Sequence, residues 1–117
     1  MITVIDDDES TLLVLAGLLR SFGFETRTYG SAKAFIRSGR ADTPGCIITD
    51  IQMPGLRGIE LKRWLDAQAI AVPVIMITAR SEPHLHAQAL ASGALCLLRK
   101  PFDSDALLAS LRRVEIT

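Results

Sequence analysis

Three carboxylates in succession, Asp6-Asp7-Asp8, close the first apolar run of the chain, Ile2-Thr3-Val4-Ile5. Clustered like charges repel, and the cluster is most readily explained if something positive binds there. A hard cation with oxygen ligands meets that demand. Groups of matching chemistry follow three later apolar runs: Asp50 in Thr49-Asp50-Ile51-Gln52-Met53-Pro54-Gly55, Thr78 before Ala79, and Lys100 before Pro101. Together they suit phosphoryl transfer to a carboxylate. Asp50 would be the nucleophile, forming an acyl phosphate. A divalent ion held by Asp7, Asp50 and a nearby backbone carbonyl would offset the charge of the incoming group. Lys100 would neutralise another phosphoryl oxygen, and Thr78 would donate a hydrogen bond. The protein's part in such a reaction is positioning and electrostatics.

Each residue taken alone has a plainer use. An acid near position 8 can cap the following helix, although a cap needs one such residue and four acids stand at positions 6–9. Asp50 before Pro54-Gly55 suits ordinary turn chemistry, Thr78 a capping hydroxyl, and Lys100 an exposed cation. The reactive reading rests on coincidence: four separate run ends carry the groups that one reaction needs.

Those groups have to be brought together by the elements that carry them. Apolar runs at residues 2–5, 24–28, 46–49, 72–77 and 94–98 recur along the chain. Val4-Ile5, Ile47-Ile48 and Val74-Ile75-Met76-Ile77 are near-continuous and rich in β-branched residues, the pattern of parallel strands buried on both faces. Residues 24–28 alternate instead, as an edge strand does. Between the runs lie helical stripes: Leu12, Leu15, Leu18, Leu19 and Phe22, ended by Gly23; then Ile59, Leu61, Trp64 and Leu65; then Leu107, Leu108, Leu111 and Val114. Shorter helices are expected over 31–38, with a serine cap, and over 83–92, closed by Gly93. Strand and helix alternating throughout predict a parallel α/β sheet with helices on both faces. In such a sheet ligands bind at the carboxyl ends of the strands, where the polar groups fall.

Composition narrows the alternatives. The 117 residues make one domain, 1–117, with a buried core, and 49% apolar with 22% charged residues indicate a globular chain. Thirteen basic and 13 acidic side chains balance, so nothing marks direct nucleic-acid binding by this domain. No apolar run approaches the roughly 18 residues of a membrane span and no signal peptide precedes the first strand, so a cytoplasmic protein is expected. Cys46 and Cys96 fall in apolar segments without metal-binding spacing and read as buried thiols rather than a disulfide.

At this point the chain resembles, over essentially its full length, the receiver domain of bacterial two-component response regulators. The likeness is carried by Val4-Ile5-Asp6-Asp7-Asp8, by Asp50-Ile51-Gln52-Met53-Pro54-Gly55 with Gly58, by Thr78-Ala79 and by Lys100-Pro101-Phe102. The resemblance implies a flavodoxin-like (βα)5 fold with strand order 2-1-3-4-5. It implies Asp50 as phosphoacceptor, Mg2+ held by Asp7, by Asp6 through water, by Asp50 and by the Gln52 carbonyl, and Thr78 and Lys100 on the phosphoryl group. It also implies a cis Lys100–Pro101 peptide and leaves Asp8 as a helix N-terminal acid. The partner would be a sensor histidine kinase, and the domain would catalyse only its own phosphorylation and dephosphorylation. The stretch Pro44-Gly45-Cys46-Ile47-Ile48-Thr49-Asp50 with Gly58-Ile59-Glu60-Leu61 looks most like receivers that precede LuxR-type helix-turn-helix domains, which implies a DNA-binding output domain outside this chain, although a stand-alone receiver would read the same.

One departure stands out. Leu97 occupies the place, three residues before the lysine, where the family usually has an aromatic. Signalling is therefore expected to use shifts of the fourth helix and fifth strand, and the face made by the fourth helix, fifth strand and fifth helix is expected to control output and pair two copies on activation. His84 and His86 read as solvent-side residues, Arg99 as a surface residue opposite in direction to Lys100, and Trp64 as a packing residue. Three competing readings are weaker: an aspartyl-phosphate phosphohydrolase, which would want its nucleophile on the first strand and a cap domain; a flavin or nucleotide binder, whose glycine motifs are missing; and a degenerate receiver that binds partners without phosphorylation, although every expected site residue is present.

Overall fold

The computed structural model describes residues 1–40, 44–53, 55–79 and 83–116. Pro54, within the turn that follows Asp50, lies outside the described residues, as does Thr117. Five strands alternate with five helices: β1 Ile2–Ile5, α1 Glu9–Ser21, β2 Thr26–Tyr29, α2 Ala32–Arg37, β3 Cys46–Asp50, α3 Gly58–Ala67, β4 Val74–Thr78, α4 Pro83–Ala91, β5 Cys96–Arg99 and α5 Ser104–Ile116. All strand pairs are parallel, and the sheet order is β2-β1-β3-β4-β5. This is the flavodoxin-like order that the resemblance implies.

Side chains alternate across the pleat and define two cores. Ile2, Val4, Cys46, Ile48, Ile75 and Ile77 face Leu15 and Leu19 of α1 and Leu107 and Leu111 of α5. Ile5, Ile47, Val74 and Met76 face Phe35 of α2, Leu61 and Leu65 of α3, and Leu85 and Ala89 of α4. β1, β3 and β4 are buried throughout, whereas edge strand β2 is only half-buried. That difference follows from covering central strands on both faces, and it reproduces the contrast between continuous and alternating runs. Trp64 packs partly buried against the second of these cores. Both cysteines are free thiols in buried positions.

Local chemistry sets where the helices begin and end. Asp8 and Ser31 cap α1 and α2 by accepting from Ser10 N and Ala34 N. After α1 the chain turns at Gly23 with φ 92°, and Phe24 N donates back to the Leu19 carbonyl at 3.0 Å. With Phe24 so used, β2 begins two residues after the start of the apolar run at 24–28 and ends one residue past it. α3 ends the same way, Ile70 N donating to Leu65 O at 2.9 Å, but the left-handed position is held by Ala69 at φ 58°. A Cβ in that conformation costs roughly 1–2 kcal/mol, part of which glycine gives back through its unfolded-state freedom. Ala69→Gly is therefore expected to stabilise the protein by about 0.5–1 kcal/mol in denaturant unfolding, with no change in m value. A destabilised variant would show that Ala69 contributes packing that outweighs its backbone conformation.

Candidate functional site

In the order β2-β1-β3-β4-β5, chain connections leave β1 and β3 in opposite directions along the sheet, so a crevice opens beyond the carboxyl ends of those two strands. Asp6 and Asp7 follow β1, and Asp50 is the last residue of β3. Asp6 and Asp50 are both buried, 1% and 8% exposed, while Asp7 is exposed. Each buried carboxylate spends one oxygen on a local backbone donor: Asp6 Oδ1 accepts from Asp8 N at 2.9 Å, and Asp50 Oδ1 accepts from Gln52 N at 3.1 Å. Their other oxygens face a single ammonium. Lys100 Nζ lies 3.1 Å from Asp6 Oδ2 and 3.5 Å from Asp50 Oδ2.

The lysine arrives from the far side of β4. Lys100 N donates to the Thr78 carbonyl at 2.8 Å, which ties the end of β5 to the end of β4, and the Lys100–Pro101 peptide is cis. Thr78 is buried, one residue past the Ile77 that pairs with Asp50. Arg99, next to the lysine, is exposed. The structure thus brings Asp6, Asp50 and Lys100 into direct contact, sets Gln52 against Asp50 through its backbone N–H, and places Thr78 at the adjacent strand end. Asp8 stands apart from them: it caps α1 through Ser10 N at 3.1 Å and Thr11 Oγ1 at 2.9 Å. The Thr11 hydrogen bond, then that from Ser10, holds its carboxyl below the usual range.

Two features went unread in the sequence. Asp6 is not only a candidate metal residue but the nearer ion-pair partner of Lys100. Gly58, quoted only as part of a motif, opens α3 with its N–H on the Ile51 carbonyl, and a Cβ at this position would stand 2.5 Å from the Asp50 carbonyl oxygen. The signal available was a glycine at a helix start, where a good helix former is the usual choice.

Carboxylate oxygens of Asp6, Asp7 and Asp50 all lie within 4.8 Å of one another. An all-oxygen, net-acidic donor set of that size fits a hard divalent ion such as Mg2+. The electrostatics agree. Burial pushes the Asp50 carboxyl up; the Gln52 N–H opposes it, the neighbouring Asp6 charge adds to it, Lys100 opposes it again, and the balance leaves the carboxyl raised. Burial pulls the Lys100 ammonium down, but Asp50 and Asp6 together outweigh it and its pKa is raised. Among the described residues one cation therefore serves two buried anions, and these groups by themselves are short of positive charge.

Comparison with known proteins agrees with this geometry. The response regulator receiver domain pattern matches residues 2–112. The chain is 40% identical over 109 residues to the transcriptional regulatory protein FixJ of Azorhizobium caulinodans, spanning 93% of this chain and 52% of that protein. It is 40% identical over 112 residues to the C4-dicarboxylate transport transcriptional regulatory protein DctD of Pseudomonas aeruginosa, spanning 96% of this chain and 24% of that one. The chain thus spans about half the length, or less, of these curated relatives. Among solved structures it superposes on the crystal structure of FixJ-N with a TM-score of 0.90 and 30% identity, covering 98% of this chain and 92% of that one. The response regulator StyR gives 0.89 and 37%, covering 98% and 59%.

The charge deficit has a measurable cost. Because the folded Asp50 carboxyl holds its proton more tightly than the unfolded one, the native state binds more protons just above the ordinary carboxylate range. Stability contributed by that group is present at low pH and is lost as pH rises through its folded pKa. Asp50→Asn is therefore expected to melt a few degrees above the parent near neutral pH in chelator, with the gap closing as the pH falls toward about 4. Added Mg2+ should raise the parent's Tm more than the variant's. Equal melting curves for the two proteins in chelator at neutral pH would mean that Lys100 already balances the cluster.

Proposed function

The chain belongs to the response regulator receiver domain family and is a phosphoacceptor domain of two-component signalling; from that membership we propose that Asp50 carries the phosphoryl group. The observation that supports this most is the shared lysine: Asp50 ends its strand with one oxygen 3.5 Å from an ammonium that already holds Asp6. An Asp50 oxygen forms the new O–P bond as the P–N bond to a phosphohistidine of the donor kinase breaks and the imidazole leaves. Lys100 stands where it can pass from the Asp50 oxygen to a phosphoryl oxygen without leaving Asp6. Thr78, at the end of the neighbouring strand, is the hydroxyl proposed to hold a second phosphoryl oxygen. Asp7, Asp50 and the Gln52 carbonyl, with Asp6 through water, would hold Mg2+, which would supply the positive charge that these groups leave short. The Gln52 N–H keeps the Asp50 carboxylate oriented.

The domain is read as acting in the cytoplasm with a sensor histidine kinase, and as controlling transcription through a DNA-binding output domain in the full protein. It catalyses only its own phosphorylation and dephosphorylation. The signal is proposed to leave through α4, β5 and α5, since Lys100 and Thr78 sit at the ends of β5 and β4. Leu97 of β5, half-buried, packs against the core that includes Leu85 and Ala89 of α4, so a shift of β5 is passed to that helix without an aromatic switch.

Incubation with acetyl phosphate and Mg2+ is expected to add one phosphoryl group by intact-mass spectrometry. Asp50→Asn should abolish the addition, and Lys100→Ala should slow it by about 10²-fold, as removal of one charge-stabilising donor does. A parent protein that takes up no phosphate and shows no beryllofluoride complex by NMR would instead be a partner-binding module that works without phosphorylation. Sedimentation with beryllofluoride is expected to show a dimer absent without it; identical monomer profiles would remove activation-linked pairing from the mechanism.

A further inference from the structure

At the opposite end of the sheet from the carboxylates lies a pocket of ≈120 Å³. It is lined by Met1 and Ile2 at the start of β1, Phe24 just before β2, Cys46 at the start of β3, and Leu111 and Val114 of α5. With a rise of about 3.3 Å per residue, the four residues of β1 put it roughly 13 Å from Asp6. Nothing in phosphoryl transfer uses it.

From its size and chemistry we propose that this pocket is a binding site for a small, neutral aromatic molecule. No lining side chain carries a charge. Among the lining side chains the Cys46 thiol is pushed by burial up to about 12 and is therefore neutral, its Sγ turned to the Ile47 carbonyl at 3.8 Å; the charge beside it is the α-ammonium of the lining residue Met1, which suits the face of an aromatic ring. Water in the pocket finds few hydrogen-bond partners among these apolar side chains, so an apolar occupant displaces it readily. A dry cavity of about 150 Å³ in another protein takes benzene or xenon, so ≈120 Å³ is the scale of a single ring and not of a nucleotide or peptide. The Phe24 ring, the Met1 thioether and the Cys46 thiol favour an aromatic occupant over an aliphatic one, since sulfur and ring edges attract aromatic rings.

The occupant would touch α5 from beneath. Leu111 is buried and Val114 half-buried in the core that joins α5 to the sheet. A ring held between them and Ile2 adds packing that fixes the second half of α5 against β1 and β3. The site therefore offers a way to stiffen one element of the proposed output face from a point remote from Asp50, and this consequence alone rests on the proposed function.

Benzene is the probe. Titrated into the isotope-labelled protein, it is expected to shift the methyl signals of Ile2, Leu111 and Val114 along a saturable curve, with Kd in about the millimolar range for so few atoms. Melting temperature should rise with benzene concentration by mass action. Val114→Phe, which enlarges a half-buried lining residue, should weaken binding by about tenfold or more, with methyl signals around Ile77 unchanged to show an intact fold. Shifts that grow linearly, that appear equally at exposed Leu13, Val14 and Leu90, or that persist in Val114→Phe would overturn the proposal. So would concentration-dependent shifts of the same pocket methyls without benzene, which would assign the pocket to a second copy of the chain. Phosphorylation assayed on the same samples keeps the two readings separate, because benzene binding needs no phosphoryl chemistry.

Discussion

One ammonium shared by two buried carboxylates is the interaction on which the rest of this structure depends. Lys100 lies 3.1 Å from Asp6 and 3.5 Å from Asp50, and the three come from the ends of β5, β1 and β3. Only a sheet that sets β1 beside β3, with β4 and β5 next in order, gathers those strand ends on one rim. Burying two anions is unfavourable unless each is hydrogen-bonded and compensated. The chain meets the first need with the Asp8 and Gln52 backbone N–H groups. It meets the second only in part, and the raised Asp50 pKa records the remainder.

The packing below the rim is arranged to keep that geometry tight. Strand side chains divide cleanly between the α1–α5 core and the α2–α4 core, so every central strand is clamped from both faces. At Asp50 the clamp reaches the backbone itself. Gly58 lets the first turn of α3 lie against the Asp50 carbonyl, where any side chain would overlap it at 2.5 Å. A larger residue would have to push α3 away from the strand end that carries Asp50, the kind of overpacking that costs about 1–3 kcal/mol. The glycine is thus explained by proximity; its backbone conformation is an ordinary one.

Much of this was legible in the chain. Continuous β-branched runs marked β1, β3 and β4, alternation marked the β2 edge, and the Leu12 to Phe22 stripe with Gly23 gave α1 with its end. Asp6, Asp50, Thr78 and Lys100 could be placed near one another because each ends or follows a strand, and parallel strands end on one side. Strand order came from resemblance, since periodicity says which face a residue takes but not which strand is its neighbour. The boundaries of β2 and β5 shifted by one or two residues because backbone bonds such as Phe24 N to Leu19 O compete with the ladder. Neither the sharing of Lys100 nor the contact at Gly58 had a local signal: both are tertiary distances between residues 94 and 8 positions apart in sequence.

The shared lysine also bears on how a change at Asp50 could be felt elsewhere. A group with two partners responds when one partner changes charge, whereas a singly paired group has no alternative to shift toward. A phosphoryl group on Asp50 would draw Lys100 outward from the carboxylate pair, while Asp6, fixed by the Asp8 N–H, would hold it back. The backbone of Lys100 is bound to the Thr78 carbonyl, so displacement of the lysine main chain moves the ends of β4 and β5 together. Those ends lead directly into the segments before α4 and α5. Under the proposed function, two arrangements of one lysine would be enough to bias both helices, and the bias would be set by the difference in Lys100's interactions with carboxylate and with acyl phosphate. The same incomplete compensation that makes the resting site costly leaves room for an added charge, with its counterion, to reorganise it.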